Sequence, residues 1–238
     1  MKLSPAARSF FRYQGFLRLP IVLEADVVTR LRETIQRHIR EEIEPYRRDG
    51  HGRIVRISNV WDRDPIFQET FTRPDLLDCL ADLLGPNIEF MKNRHNHATL
   101  RLRGETGDND RPLLHRDALQ WSRTIVSVVF YLEETTLENG CTHVVPGTHL
   151  LPITTSTSMD VEAGEYDAQL LEQLAPLPMP RGGIAVIDGM LIHGVGVNRT
   201  ESSRMSMTAG YHSVDEMVNE APGHREVVRG SRFYLGNA

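Results

Sequence analysis

Thr124-Ile125-Val126-Ser127-Val128-Val129-Phe130-Tyr131-Leu132 is β-branched or aromatic at nearly every position. It is too short for a typical helix, and its composition suits a buried strand. Working outward, Ile88–Asn93, Ala98–Arg103, Thr142–Val145, Ile184–Ile187 and Met205–His212 have the same character. Asn139-Gly140 and Asp188-Gly189 punctuate them as turn dipeptides. Gly104–Asp110 and Thr154–Ser158 read as polar loops, and Tyr166–Leu174 as a short helix. Upstream, Val28, Leu31, Ile35, Ile39 and Ile43 recur at helical spacing, which predicts a helix from Ala25 to Glu44 stopped by Pro45. A second helix is predicted from Pro74 to Leu84, closed by Gly85-Pro86. Asp49–Arg56 is rich in glycine and arginine and predicts a mobile loop. Helices followed by many strands imply a mainly β fold, a sandwich or barrel with α-helices packed outside.

The chain has 238 residues, 40% of them hydrophobic and 25% charged, which excludes a disordered or fibrous protein. No repeat or linker divides it, so a single domain is expected over 1–238. Two cysteines exclude a disulfide framework or a cysteine-rich zinc module, and point to a reducing, cytoplasmic setting. With 27 basic and 32 acidic residues, the formal charge of −5 gives no pull toward nucleic acid. No apolar run approaches the ~20 residues of a membrane span, so no membrane partner is expected.

Ten histidines leave spacing to select among them. His115 and Asp117 stand at i and i+2, which on an extended chain project to one face. A distant histidine would complete a 2-His-1-carboxylate set, the ligand pattern of non-haem Fe(II) oxygenases. His193 is the best candidate: it follows a buried-looking strand and a tight turn, with Gly194 beside it. Arg204 lies one turn and one strand further on, where its guanidinium would hold a carboxylate in two parallel hydrogen bonds.

Five ordered segments resemble the phytanoyl-CoA dioxygenase family. These are Gly15-Phe16-Leu17-Arg18-Leu19-Pro20 with the helix after it, Leu83-Leu84-Gly85-Pro86-Asn87-Ile88, and His115-Arg116-Asp117. Glu138-Asn139-Gly140-Cys141-Thr142-His143-Val144-Val145-Pro146-Gly147-Thr148-His149 follows, and then His193-Gly194-Val195-Gly196-Val197-Asn198 with Arg204. The resemblance covers about 15–215, leaving 216–238 as a tail that either folds back over the site or crosses to another subunit.

It implies a double-stranded β-helix, or cupin-like jelly roll, with helices on one sheet and iron between the sheets. Fe(II), 2-oxoglutarate and O2 are the implied cofactors, with the C5 carboxylate on Arg204 and release of succinate and CO2. Related halogenases lack the carboxylate ligand, so Asp117 implies hydroxylation in preference to chlorination. Desaturation, epoxidation and cyclisation stay open, as do a non-catalytic jelly-roll binding protein and an O2-independent isomerase or hydrolase.

Several residues carry two readings. Trp121 either walls the substrate pocket or packs in the core. Ser127, in an apolar strand, needs a partner: the C5 carboxylate or the backbone. Ser206 would share the Arg204 face and reach that same carboxylate. Asn93, His95 and His97 alternate onto one face, with Asn93 expected near the cosubstrate and His97 in the pocket. Arg94, Arg101 and Arg103 are expected in solvent, unless one of them meets an acidic substrate, and no basic patch for a CoA phosphate is visible. A small-molecule substrate is expected, either a secondary-metabolite intermediate or an amino acid.

Overall fold

The computed structural model describes residues 1–103, 112, 114–117, 125–151, 172–216 and 222–232. Four helices occupy the first third: α1 (Pro5–Gln14), α2 (Ala25–Arg40), α3 (Pro65–Phe71) and α4 (Pro74–Leu84). Strands β1 (Phe16–Val22), β2 (Tyr46–Arg48) and β3 (Ile54–Ser58) run between them. Then come β4 (Ile88–Met91), β5 (Asn96–Arg101), β6 (Ile125–Tyr131), β7 (Thr142–Val144) and β8 (Ala175–Leu177). The last strands are β9 (Gly183–Asp188), β10 (His193–Val195), β11 (Arg204–Ser213) and β12 (Arg225–Arg229). Trp121, the 104–110 loop, the 154–158 loop and most of the 166–174 helix lie outside the described residues.

Among the described residues the strands form two antiparallel sheets. The larger has nine strands in the order β1-β9-β6-β11-β5-β3-β2, with β4 on β11 and β12 on β4. The smaller is β10-β7-β8. Alternation along β11 decides what each face of the large sheet does. Met205, Met207, Ala209 and Tyr211 join Val126, Val128 and Phe130 of β6 in a core under the helices, with Leu31, Phe71 and Leu76. Phe90 is the hub, with ring centroids 4.4 Å from Trp61, 5.4 Å from Phe71 and 5.5 Å from Tyr211. The residues between, Arg204, Ser206 and Thr208, point the other way and line a cavity also lined by Thr142, His193 and Val195 of the small sheet. The arrangement is a cupin-like jelly roll with the helices on one sheet.

Local departures from expectation have local causes. α2 ends at Arg40, four residues early. Glu42 turns to φ 50, and Arg63 donates to the carbonyls of Ile43 and Pro45, holding the chain off the helical path. The expected 49–56 loop is largely a hairpin: Ile54, Val55 and Ile57 are buried, so the segment extends as β3 and only 49–53 turns. α1 starts on a Ser4 cap whose hydroxyl accepts from the Ala7 amide, and stops at Gly15, φ 80. A Cβ at Gly15 would come within 2.5 Å of His149 Nδ1, so the position needs glycine twice over. In the tail, 222–232 folds back on β4, where buried Glu89 accepts from Arg225 at 3.4 Å and Arg232 at 2.7 Å. No helix among the described residues is long and apolar enough to cross a membrane.

Because Phe90 ties α3, β4 and β11 together, Phe90→Ala is expected to cost about 3–5 kcal/mol of stability. Urea unfolding checks it; a cost under about 1 kcal/mol would contradict this packing.

Candidate metal centre

The centre begins with the backbone. His115 and His193 form an isolated antiparallel bridge: the His115 amide donates to His193 O at 2.8 Å, and the His193 amide to His115 O at 3.0 Å. Directly opposed residues project to the same side of a ladder, and the two imidazoles stand 4.4 Å apart between centroids. Two residues on, the Asp117 amide donates to Gly189 O at 2.7 Å. Gly189 sits in the Asp-Gly turn that ends β9, where Asp188 Oδ1 accepts from the Met190 amide at 2.8 Å.

Asp117 then points back between the rings. Its Oδ1 is 3.6 Å from His115 Nε2, and its Oδ2 is 3.6 Å from His193 Nε2. One ligand atom from each residue lies within 4.8 Å of the others, the one such group of three among the described residues. Two atoms at right angles on one ion at about 2.0–2.2 Å stand roughly 3 Å apart, so small inward shifts of these side chains would close the set on an ion. His193 Nδ1 lies 2.9 Å from Leu191 O, which can only accept, so Nδ1 carries the proton and Nε2 is free to ligate.

Protonation states suit a metal. Burial alone would raise the Asp117 carboxyl, but the surrounding imidazoles of His95, His193 and His115 outweigh it and hold it well below the usual carboxylate range. Burial pushes His193 below the usual imidazole value, chiefly by penalising its charge. Both are therefore in the unprotonated forms that bind metal at neutral pH.

Ser127, expected against the cosubstrate C5 carboxylate or the backbone, stands beside Asp117. Its Oγ donates to Asp117 Oδ2 at 2.5 Å in a buried contact. The register explains this: Ser127 lies opposite Gly210, six residues along β11 from Arg204, or roughly 20 Å of strand. The hydroxyl is placed to hold the Asp117 carboxylate.

Arg204 is 2% exposed and its Nε has no hydrogen-bond partner. Burial brings its pKa down to about 10, so the guanidinium stays charged at neutral pH. It forms no ion pair among the described residues, which leaves a buried cation in want of an anion. Ser206 follows on the same face and lines the same cavity of about 420 Å³. Tyr131, opposite Ser206, shares a buried 2.9 Å hydrogen bond between its hydroxyl and that of Thr142. Sequence reasoning missed this pair, although period-two alternation from Ser127 leads to Tyr131.

Asn93 and His97 both line the cavity, but not by alternation. The chain turns at His95, φ 51, and β5 begins only at Asn96, whose amide accepts from the Trp61 N–H and donates to Lys92 O. That turn brings His95 Nε2 to 3.5 Å from Asp117 Oδ1, a neighbour the sequence did not single out. Arg94 and Arg101, expected in solvent, also line the cavity, while Arg103 is exposed against Glu201.

A jelly roll with two imidazoles and a carboxylate converging between its sheets has the architecture of iron- and 2-oxoglutarate-dependent oxygenases. The family model for phytanoyl-CoA dioxygenase matches residues 11–206, and the chain belongs to that family. It is 26% identical to the peroxisomal phytanoyl-CoA dioxygenase of Rattus norvegicus, over 90% of this chain and 69% of that protein. Among solved structures, the epimerase SnoN, in complex with Fe3+, alpha ketoglutarate and nogalamycin RO, superposes with a TM-score of 0.73. The likeness covers 96% of both chains at 21% identity. EctD from S. alaskensis, with 2-oxoglutarate and 5-hydroxyectoine, gives a TM-score of 0.73 at 19% identity, over 89% of this chain and 77% of that one.

If Ser127 orients Asp117, Ser127→Ala is expected to weaken Fe(II) binding about 10- to 100-fold. Anaerobic equilibrium dialysis measures this; an unchanged affinity would remove Ser127 from the centre.

Proposed function

We propose that the chain is an Fe(II)- and 2-oxoglutarate-dependent dioxygenase that hydroxylates an unactivated C–H bond of a small molecule, with release of succinate and CO2. The observation that carries this reading is the pairing of two things in one cavity. His115, Asp117 and His193 converge there as a ligand set, and Arg204 is a buried cation without a carboxylate partner.

The residues divide the work. His115, His193 and Asp117 would hold iron from one side and leave about three positions for cosubstrate and O2. Ferrous iron with 2-oxoglutarate and O2 supplies the oxidising chemistry. Arg204 binds the C5 carboxylate of 2-oxoglutarate through charge-assisted hydrogen bonds, with Ser206 beside it. The Tyr131 and Thr142 hydroxyls complete the polar wall near the guanidinium. Ser127 keeps Asp117 on the metal, in the position a halide would otherwise need, which favours hydroxylation over chlorination.

Asn93 and His97 belong to the remaining wall, Asn93 toward the cosubstrate and His97 toward the substrate. A cavity of about 420 Å³ suits a small molecule. The ligands seen with SnoN and EctD support a secondary-metabolite intermediate or an amino-acid derivative as the substrate class. A non-catalytic binding protein would have no use for an intact ligand set opposite a buried arginine.

Anaerobic addition of Fe(II) and 2-oxoglutarate is expected to produce a weak visible charge-transfer band, and His115→Ala to abolish it. Arg204→Gln is expected to raise the 2-oxoglutarate concentration giving half the band about 10- to 100-fold, the worth of a charged hydrogen bond of ~1.5–3 kcal/mol. A wild-type protein that gives no band would refute the oxygenase reading.

A further inference from the structure

Among the arginines that line the cavity and are not used by iron or 2-oxoglutarate, two stand as a pair. Arg47 on β2 and Arg56 on β3 are direct cross-strand partners, and both line the cavity. The row continues from Arg56 to Thr99 on β5 and from Thr99 to Ser206 on β11. Two strand spacings, roughly 10 Å, therefore separate Arg56 from Ser206 in the backbone.

Like charges directly opposite each other weaken a sheet. Nothing among the described residues relieves this pair. The Arg47 side chain forms no hydrogen bond or ion pair. Arg56 donates one hydrogen bond, from Nη2 to His97 Nδ1 at 3.1 Å, and its Nε is buried without a partner. Burial and the nearby charges of Arg47 and Arg101 all push the Arg56 pKa down, and no carboxylate is among its causes. Asp117 is the one acidic residue among the described lining residues, and it is committed to the metal centre.

A local arrangement that costs stability is expected where a ligand repays it. His97 supports the same conclusion. Arginine has no acceptor, so His97 Nδ1 must accept and the ring must be neutral. Burial holds His97 well below the usual imidazole value and keeps it so. The imidazole therefore positions the guanidinium and leaves the Nε–H edge for another group.

We propose that Arg56, oriented by His97 and assisted by Arg47, binds an oxyanion group of the substrate, a carboxylate or a phosphate ester, at a subsite separate from that of the cosubstrate. The inference rests on the oxygenase reading and adds a substrate class to it. A planar fork suits either anion, because both present two oxygens at matching spacing.

The test uses full-length, Fe(II)-loaded protein, anaerobic and saturated with 2-oxoglutarate so that Arg204 is occupied. Calorimetric titration at constant ionic strength uses inorganic phosphate in one arm and acetate in the other, with acetamide as the neutral control. Saturable binding of at least one anion is expected, and the arm that binds identifies the group. Arg56→Gln is expected to lower that affinity at least tenfold, and Arg47→Gln several-fold.

Arg47 is exposed and has no side-chain partner among the described residues, so Arg47→Gln is expected to fold and to melt at or above the wild-type temperature in anion-free buffer. An arginine with a merely structural role would lower the melting temperature. Binding of neither anion, or wild-type affinity in both variants, overturns the inference. The wild-type charge-transfer band keeps the two readings apart. A band without anion binding refutes the subsite alone; no band refutes the oxygenase.

Discussion

Two backbone hydrogen bonds between His115 and His193 carry the centre. They join segments far apart in sequence, and by pairing the two residues directly they aim both imidazoles at one point. A slip of one residue in that bridge would turn one ring to the opposite face. Asp117 depends on the same pairing, since it reaches the rings only because its own amide is held by the Gly189 carbonyl. Ser127 and the Leu191 carbonyl then fix the carboxylate and the tautomer of His193. The site is thus built on sheet register, and the helices serve it by burying the far side of the sheet on which it stands.

That division of faces also explains the electrostatics. The outer face of the large sheet is apolar and closed by helices, so the polar residues of β5, β6 and β11 have one place to go, the space between the sheets. Burying Asp117 there is tolerable because imidazoles surround it. Burying Arg204 with no carboxylate beside it among the described residues is tolerable if the proposed cosubstrate supplies one. Asp117 is compensated by neighbouring side chains, whereas Arg204 has no ion pair among the described residues, and the contrast separates the proposed metal end of the cavity from the proposed cosubstrate end.

Much of this was legible in the sequence because it rests on short-range periodicity. The β-branched runs became β6, β9 and β11 with ends shifted by one residue, and the Pro74–Leu84 helix matches fully. His115, Asp117 and His193 were recoverable because i, i+2 spacing fixes a face and the third ligand follows a turn. What was not legible depends on pairing between distant strands. For Ser127 the C5 carboxylate and the backbone were both open as partners because nothing in its neighbourhood reports the distance from Arg204; the β6–β11 register does. The three-residue strands β2 and β10 have too few residues for a pattern of their own, and exist because a partner strand is there to pair with them. Arg94 and Arg101 of the cavity looked like solvated charges for the same reason.

The central claim is that one ferrous ion sits between His115, Asp117 and His193. X-ray absorption at the iron edge of the anaerobic Fe(II) protein tests it most directly. The account predicts a shell of nitrogen and oxygen atoms at about 2.0–2.2 Å, with the outer-shell scattering of two imidazole rings, reduced to one ring in His193→Ala. A spectrum without imidazole scattering, or one unchanged by that substitution, would contradict it.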